Sequence, residues 1–198
     1  TVIFVNNLFD KLNENDFGLG DKGFGGISFK KVNSLTIANN TFETRNAAVH
    51  ATEIQNIDIY NNTWRKLLGA TPNVHPRGLY ISALNSFTLR NNTFANCPKV
   101  NNRVMVFDSK EIIIEDCIFI ENEFEKEFEK QKWGGIGMTF DRQGFIVKFR
   151  NCVFRDNKGA VGGAVQFGGK AAPNPNGGSI ELYSCHFEGN KASDTGGA

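Results

Sequence analysis

Four side chains in this sequence could do acid, base or anion-binding chemistry, and all lie in short apolar segments of one kind. His50 and Tyr80 stand at matching places in two such segments, while Arg77 and Arg103 stand at the beginning of two. Histidine and tyrosine can act as acid or base, and arginine can bind the carboxylate of an acidic sugar. These residues are therefore the candidate catalytic set for cleavage of a polysaccharide.

The acidic partners that this chemistry needs do not accompany the four residues. Glycoside hydrolases flank the scissile bond with two carboxylates, and calcium-dependent cleavage gathers acidic side chains around the ion. Ser28 stands at the place equivalent to His50 and Tyr80, so the expected outward column contains Ser, His and Tyr, and Asp108 at the end of a strand is the one candidate carboxylate beside it. The sequence therefore favours a non-catalytic surface, with a polysaccharide lyase or glycoside hydrolase as the alternative.

The elements that carry these residues follow from a repeated phrase of eight residues that ends in an aromatic side chain. Apolar residues alternate with polar ones, as in a half-buried strand. An Asn-rich pair follows, which favours a corner because Asn tolerates left-handed backbone. The seven copies are residues 2–9, 35–42, 57–64, 87–94, 112–119, 147–154 and 180–187.

A second apolar strand lies between one copy of the phrase and the next. Phe42 and Trp64 close successive copies only 22 residues apart, which leaves room for short strands but for no obligatory helix. The sequence predicts an all-β, right-handed parallel β-helix of about seven rungs, with the closing aromatic residues stacked in one interior column. Residues 1–198 are expected to form a single domain, as a segment of a longer repeat protein.

The extra length of the longer repeats predicts insertions on the outside of the coil. Outer loops are expected at residues 10–24, 65–76 and 168–178. Residues 121–132 differ, because Phe124 and Phe128 are four residues apart among Glu and Lys. This pattern predicts a short helical insertion that packs against the side of the rod, or alternatively binds a partner through the two Phe side chains.

The charge balance and the lengths of the apolar runs limit the classes of partner expected for the chain. The 22 Lys and Arg residues nearly balance the 21 Asp and Glu residues, so no basic surface for nucleic acid is expected. No apolar run reaches the roughly 18 residues of a membrane helix, so this segment is not expected to insert into a membrane. No cofactor is expected. The open strand edges of a β-helix predict further rungs or subunits stacked at its ends, and surface glycans are a second predicted partner.

Three cysteines share one corner slot in which the other copies carry Asn. Adjacent rungs would bring Cys117, Cys152 and Cys185 to Cα separations of about 4.8 Å, which is within disulfide range. Direct stacking disfavours the disulfide torsion, so a buried thiol ladder is favoured over a Cys152–Cys185 bond. No CxxC pair or histidine accompanies the cysteines, so no metal site is predicted.

The corners also contain three Asn-Asn-Thr sequons, which begin at Asn39, Asn61 and Asn91. If the second Asn of each pair points inward, the first points outward and could carry an N-glycan. The alternative is that the sequons are by-products of the corner pattern.

The last part of the chain carries two motifs at matching distances. Phe154-Arg155-Asp156-Asn157 is followed by Gly162-Gly163-Ala164-Val165, and Phe187-Glu188-Gly189-Asn190 by Gly196-Gly197-Ala198. These FxxN and Gly-Gly-Ala motifs resemble the polymorphic outer-membrane protein repeat, whereas the earlier copies are similar to the broader pectate-lyase-like β-helix pattern. The first resemblance implies a secreted or surface-displayed segment used in adhesion or surface structure. The second implies polysaccharide lyases and hydrolases among the relatives.

These observations together predict a non-enzymatic, extracellular or cell-surface β-helix that serves as a structural spacer, surface fibre or adhesin. The alternative is a carbohydrate-binding or polysaccharide-cleaving protein.

Overall fold

The computed structural model describes residues 1–10, 27–43, 49–65, 77–97, 102–107, 110–123, 136–138, 146–161, 163–167 and 179–195. Twenty strands and no helix form within these ranges, so none of the described residues belongs to a helix that could cross a membrane. The strands coil around one apolar interior, and each turn of the coil adds strands beside those of the turn before.

One strand from each of seven turns contributes to a continuous parallel sheet, called here the long sheet. In order across the sheet these strands are β1 (Val2–Val5), β4 (Ser34–Ala38), β6 (Val49–Tyr60), β8 (Arg77–Arg90), β11 (Glu111–Glu115), β14 (Ile146–Arg150) and β18 (Ser179–Tyr183). β3 (Ile27–Lys30) pairs with the first half of β6, and β10 (Asn102–Phe107) pairs with the first half of β8. β6 and β8 therefore each span two sides of the coil.

A second parallel sheet, called here the short sheet, takes one three-residue strand from each turn. Its strands are β2 (Leu8–Asp10), β5 (Thr41–Glu43), β7 (Thr63–Arg65), β9 (Thr93–Ala95), β12 (Ile118–Ile120), β15 (Val153–Arg155) and β19 (His186–Glu188). Two smaller parallel pairs join β13 (Ile136–Met138) to β17 (Val165–Phe167) and β16 (Lys158–Val161) to β20 (Lys191–Thr195). The in-register parallel pairing confirms the predicted β-helix.

The first corner is the residue pair between a long-sheet strand and the following short-sheet strand. Its first residue always has left-handed backbone, with φ between 50° and 60° in the seven turns. These residues are Asn6, Asn39, Asn61, Asn91, Asp116, Asn151 and Ser184. Asn, Asp and Ser suit this place because a short polar side chain lowers the cost of the left-handed conformation.

The second residue of the first corner points inward and links the turns by hydrogen bonds. Oδ1 of Asn62 accepts bonds from the backbone N and the Nδ2 of Asn40, at 2.9 and 3.0 Å. Asn7 bonds to Asn40 in the same way, and Asn62 bonds to Asn92. A similar ladder follows the short-sheet strands at a second corner, through Asn122, Asn157 and Asn190.

The predicted aromatic column is present in the interior. Adjacent rings are nearly parallel, at interplanar angles of 3° to 9°. The centroid distances are 5.1 Å for Phe42–Trp64, 4.6 Å for Trp64–Phe94, 4.9 Å for Phe94–Phe119, 5.0 Å for Phe119–Phe154 and 4.8 Å for Phe154–Phe187. Alternating long-sheet residues such as Leu35 and Ile37 pack beside the column and are buried.

The predicted helix at 121–132 is wrong for its first three residues. Glu121 has left-handed backbone, Asn122 is buried in the second-corner ladder, and Glu123 forms a β-bridge with Lys158. The ladder bonds of Asn122 fix this segment as a corner, and they outweigh the local charge and Phe periodicity. Residues 124–132 lie outside the described residues.

The predicted loops begin one residue too early at two places. Asp10 pairs with Glu43 in the short sheet, and Arg65 pairs with Ala95, so both residues still belong to strands. The remainder of these loops, residues 11–24 and 66–76, and the whole of 168–178 lie outside the described residues.

Candidate functional site

The predicted catalytic residues lie on the first halves of β6 and β8 and on β10. The register pairs Ser28 with His50 and His50 with Tyr80, so these three positions form a row across adjacent strands. The hydroxyl of Ser28 lies 3.5 Å from Nδ1 of His50. Met105 takes the next position in the row, so none of these four positions carries a carboxylate.

The two arginines of the predicted set do not share a register position. Arg77 pairs with Asn102, which comes one residue before Arg103, and both lie before the Tyr80–Met105 pair. Only the backbone of Tyr80, Arg77 and Arg103 belongs to the described part of the chain. Among the described side chains, only Ser28 and His50 are therefore seen in contact. The predicted site of His50, Tyr80, Arg77 and Arg103 stays a prediction.

A shallow groove of about 360 Å³ lies on the outer face of the long sheet, where the sequence had predicted no site. It is called here the outer groove, and its polar lining includes Thr36, Asn56, Asp58, Thr88, Arg90 and Glu115. Within it, Nη2 of Arg90 donates a hydrogen bond to Oδ2 of Asp58 at 2.7 Å. The groove therefore combines an ion pair with hydroxyl and amide groups from adjacent turns.

The Asp58–Arg90 pair leaves one strong acceptor unused. The Asp58 side chain is 37% exposed as a whole, yet its Oδ1 atom is buried and has no hydrogen-bond partner in the described part of the chain. Arg90 also lies over the ring of Tyr60, with Cζ 5.4 Å from the ring centroid. The hydrogen bond and the charge of Asp58 raise the pKa of the Arg90 guanidinium, which stays charged.

Sequence reasoning missed the outer groove because the two residues of its ion pair, Asp58 and Arg90, are 32 positions apart. Asp58 pairs with Thr88 and Tyr60 pairs with Arg90, so Asp58 and Arg90 are diagonal neighbours on adjacent strands. Aligning the repeated phrases and comparing each strand with diagonal positions of the next would have found this pair.

A second depression, of about 370 Å³, lies over the second corners and is acidic. Its lining consists of Asn96, Glu121, Glu123, Asp156 and Lys158. Nζ of Lys158 lies 3.7 Å from Oε1 of Glu123, which offsets part of the negative charge. Among the described residues, no group of three or more His, Cys, Asp or Glu side chains is arranged to hold a metal ion.

The three cysteines of the first corner occupy consecutive turns as thiols without a disulfide. Cys117 and Cys152 are fully buried, and Cys185 is half-buried. Each thiol donates to the carbonyl two residues earlier, at 3.2 Å for Cys117, 3.3 Å for Cys152 and 3.5 Å for Cys185. Nδ2 of Asn62 makes the equivalent bond to the carbonyl of Tyr60 at 2.8 Å, so the thiols replace the amides of the other turns.

The buried position of these thiols changes their acidity. The hydrogen bond to Cys117 and then burial raise the pKa of Cys152, and burial raises the pKa of Cys185. Both thiols are therefore protonated at neutral pH.

In-register parallel turns, a stacked aromatic interior and corner ladders are features of one class of protein, the parallel β-helix. The profile of the family described as right handed beta helix region matches residues 25–197. The chain belongs to this family. No curated protein and no solved structure matches the chain.

The three sequons of this right-handed β-helix lie along one outer edge. Asn39, Asn61 and Asn91 are exposed and take the left-handed place of the first corner in three consecutive turns. Nδ2 of Asn91 donates to Oδ1 of Asn61 at 2.8 Å. The β-helix thus presents these amides to solvent, and attachment of a glycan to them stays a prediction.

Proposed function

We propose that this right-handed β-helix is a non-enzymatic segment of an extracellular or cell-surface protein, where it serves as a spacer, surface fibre or adhesin. The observation that carries the proposal is the continuous interior. The aromatic column from Phe42 to Phe187 runs beside the corner ladders through successive turns, so each of these turns stacks on its neighbours in the same register. Such repetition suits a stiff rod whose outer residues are free to vary.

The narrower family, the polymorphic outer-membrane protein repeat, is part of this proposal. Three residues of its motifs have identifiable structural roles. Phe154 lies in the aromatic column, Asn157 donates to Asn190 in the second-corner ladder, and Gly163 lies against the backbone of the next turn. These roles support the assignment, which in turn supports a secreted or surface-displayed location.

The proposal includes further turns or subunits that stack on the open ends of the β-helix. Ile180, Leu182 and Phe187 occupy positions that are buried in the preceding turn, yet they are 43%, 53% and 36% exposed. Apolar side chains in such positions favour contact with a further turn or with another subunit.

A polysaccharide-cleavage assay tests the non-enzymatic part of the proposal. We expect the chain and its His50→Ala variant to release no oligosaccharide from acidic or neutral polysaccharides. Cleavage by the unaltered chain that is lost in His50→Ala would overturn the proposal in favour of the lyase or hydrolase alternative.

A cell-binding assay then separates an adhesin from a spacer. The intact protein is displayed on cells or beads with Phe154→Ala, which weakens the rod, or with Arg155→Ala as the matched surface control. An adhesin predicts that the displayed protein binds cells and that Phe154→Ala lowers both protease resistance and this binding. A spacer predicts that the displayed protein does not bind cells and that Phe154→Ala lowers protease resistance alone. Arg155→Ala changes neither property in either case. Equal behaviour of the two variants would contradict a role that depends on the rod.

Carbohydrate binding at the outer groove is a second candidate function. The partly exposed Asp58 and Arg90 side chains, together with Thr88 in the lining of the groove, offer acceptors and donors to a polyhydroxyl ligand. A glycan array with the chain and with Asp58→Ala tests it. Glu111→Ala is the control, because it breaks the 3.2 Å Lys148–Glu111 pair on the same sheet. Binding that only Asp58→Ala abolishes supports this function, and no binding removes it.

A further inference from the structure

The corner cysteines form a stack of sulfur atoms on consecutive turns. Cys152 and Cys185 are equivalent positions, because the residues that follow them, Val153 and His186, pair in register. The nearby rings of the same two turns, Phe154 and Phe187, have centroids 4.8 Å apart, which measures the local spacing. We therefore expect the equivalent sulfur atoms to be about 4.8 Å apart along the rod.

This spacing matches two metal–thiolate bonds placed end to end. A bond between a thiolate and a metal ion is about 2.3 Å long, so a cation bound linearly between two sulfurs spans about 4.6 Å. Soft ions with a filled d shell, such as Cu(I) and Ag(I), select thiolate ligands and accept two of them.

We propose that Cys152 and Cys185 form a two-coordinate site for a soft cation such as Cu(I), bound between two consecutive turns of the coil. No CxxC or histidine pair accompanies these cysteines, and no group of three or more metal-ligating side chains occurs among the described residues, so a site of higher coordination number is not expected here. Two sulfurs at the turn spacing are sufficient for this ion.

The surroundings of the two sulfurs favour this pair over Cys117 and Cys152. Cys152 belongs to the buried core cluster, while Cys185 is packed against that cluster and is only half-buried. Ionising the half-buried thiol costs less than ionising a fully buried one, so Cys152 with Cys185 is favoured over Cys152 with Cys117.

Binding exchanges protons for the cation without any redox step. Both thiols are protonated before binding, so two S–H bonds break, two sulfur–metal bonds form, and two protons pass to solvent. The weak hydrogen bonds to the carbonyls of Arg150 and Tyr183, at 3.3 and 3.5 Å, are lost. Because two protons leave, the apparent affinity is expected to rise up to about a hundredfold per pH unit below the pKa of the thiols.

Titration of the reduced chain with Ag(I) tests the site. Native mass spectrometry against a competing ligand is expected to give one ion per chain, with two protons released per ion. Cys152→Ser removes the sulfur that both adjacent pairs share, and it is expected to abolish binding. Cys117→Ser keeps the proposed pair and is expected to bind one ion.

Cys97→Ser is the matched control, because Cys97 is buried at the second corner, next to Asn122 rather than to another cysteine. It is expected to bind like the unaltered chain. Circular dichroism verifies the fold of each variant, and Cys185→Ser, at a half-buried position, supplies the same comparison if Cys152→Ser does not fold. Equal Ag(I) binding by the unaltered chain and by the folded Cys152→Ser or Cys185→Ser variant would overturn the proposal. The test does not depend on the proposed function.

Discussion

The backbone of Lys191 crosses Gly163 so closely that a Cβ atom on the glycine would lie 2.7 Å from the Lys191 nitrogen and oxygen. Lys191 begins β20, and its N–H donates to the carbonyl of Asn157 at 2.8 Å, so the approaching backbone is itself held by a corner. The second glycine of the Gly-Gly-Ala motif therefore makes room for the neighbouring turn.

Gly163→Ala is expected to lower the free energy of unfolding by about 2–3 kcal/mol, because the backbone of Lys191 must move. Gly189→Ala is the comparison. Gly189 has a φ of 62°, and its added Cβ meets the end of the Asp156 side chain, which can rotate away. Its expected cost is about 1–2 kcal/mol, mainly from the left-handed backbone. Urea unfolding measures both, and a smaller loss for Gly163→Ala would contradict the close approach.

Phe154→Ala is expected to destabilise the protein by about 3–5 kcal/mol. The ring is fully buried, with Phe119 and Phe187 stacked at 5.0 and 4.8 Å on its two faces. Arg155→Ala, at the exposed next residue, is expected to change stability by less than about 0.5 kcal/mol. If the two variants unfold at the same urea concentration, the inward register of β15 is wrong.

Asn62→Ala is expected to cost about 3 kcal/mol or more, since several buried groups lose their partners. Nδ2 of Asn62 donates to the carbonyls of Ile37 and Tyr60 and to Oδ1 of Asn92. Its Oδ1 accepts two bonds from Asn40. Thermal and urea unfolding measure the loss.

The control for the ladder is Asn61→Gly, one residue earlier. Asn61 is exposed with a φ of 55°, which glycine adopts without strain, so we expect a change below about 1 kcal/mol. Comparable losses at positions 61 and 62 would contradict the larger contribution expected of the buried ladder.

Alkaline pH is expected to destabilise the reduced protein. The pKa values of Cys152 and Cys185 are raised in the folded state, so these thiols keep their protons while those of the unfolded chain ionise. Their stabilisation is complete below the unfolded thiol pKa of about 8.5, and above it stability falls by up to about 1.4 kcal/mol per pH unit for each thiol. Urea unfolding between pH 7 and 10.5 measures this slope, and Cys152→Ser should reduce it. An unchanged slope in that variant would argue that the buried thiol does not contribute.

Secretion through a glycosylating pathway is expected to add N-glycans to the outer edge formed by Asn39, Asn61 and Asn91. The reason is that these amides are exposed on consecutive first corners. The intact mass should fall after glycosidase treatment. Thr63→Val removes the second sequon with little change of shape, so one glycan fewer is expected if Asn61 is used. A mass that the glycosidase does not change would leave the sequons as by-products of the corners.

The repeated phrase predicted the interior of the protein well because its pattern is local. Each copy alternates inward and outward residues within a few positions, so Leu35, Ile37 and Phe42 could be assigned to the core from one copy alone. The inward position of the first corner could also be predicted, since Asn40, Asn62 and Cys117 occupy the same position in different copies of the phrase.

The outer surface was harder to predict because its contacts cross turns of unequal length. Asp58 meets Arg90 only through the diagonal register of two strands, and no local pattern marks that register. Arg77 and Arg103 were grouped by their place in the sequence, but the strand pairing offsets them by one residue. At Glu121 to Glu123 a helix-like charge pattern misled the prediction, because the bonds that fix the corner come from residues about 35 positions away.

The amide-to-amide hydrogen bonds of the second-corner ladder all point in one direction along the rod. Asn122 donates to Oδ1 of Asn157, and Asn157 donates to Oδ1 of Asn190. The same amides also donate to backbone carbonyls of the preceding turn, that of Phe94 for Asn122 and that of Phe119 for Asn157. Each ladder asparagine therefore joins the turn before it to the turn after it, so shuffling or duplicating whole turns preserves the ladder, whereas inverting one would reverse the order of its donors and acceptors.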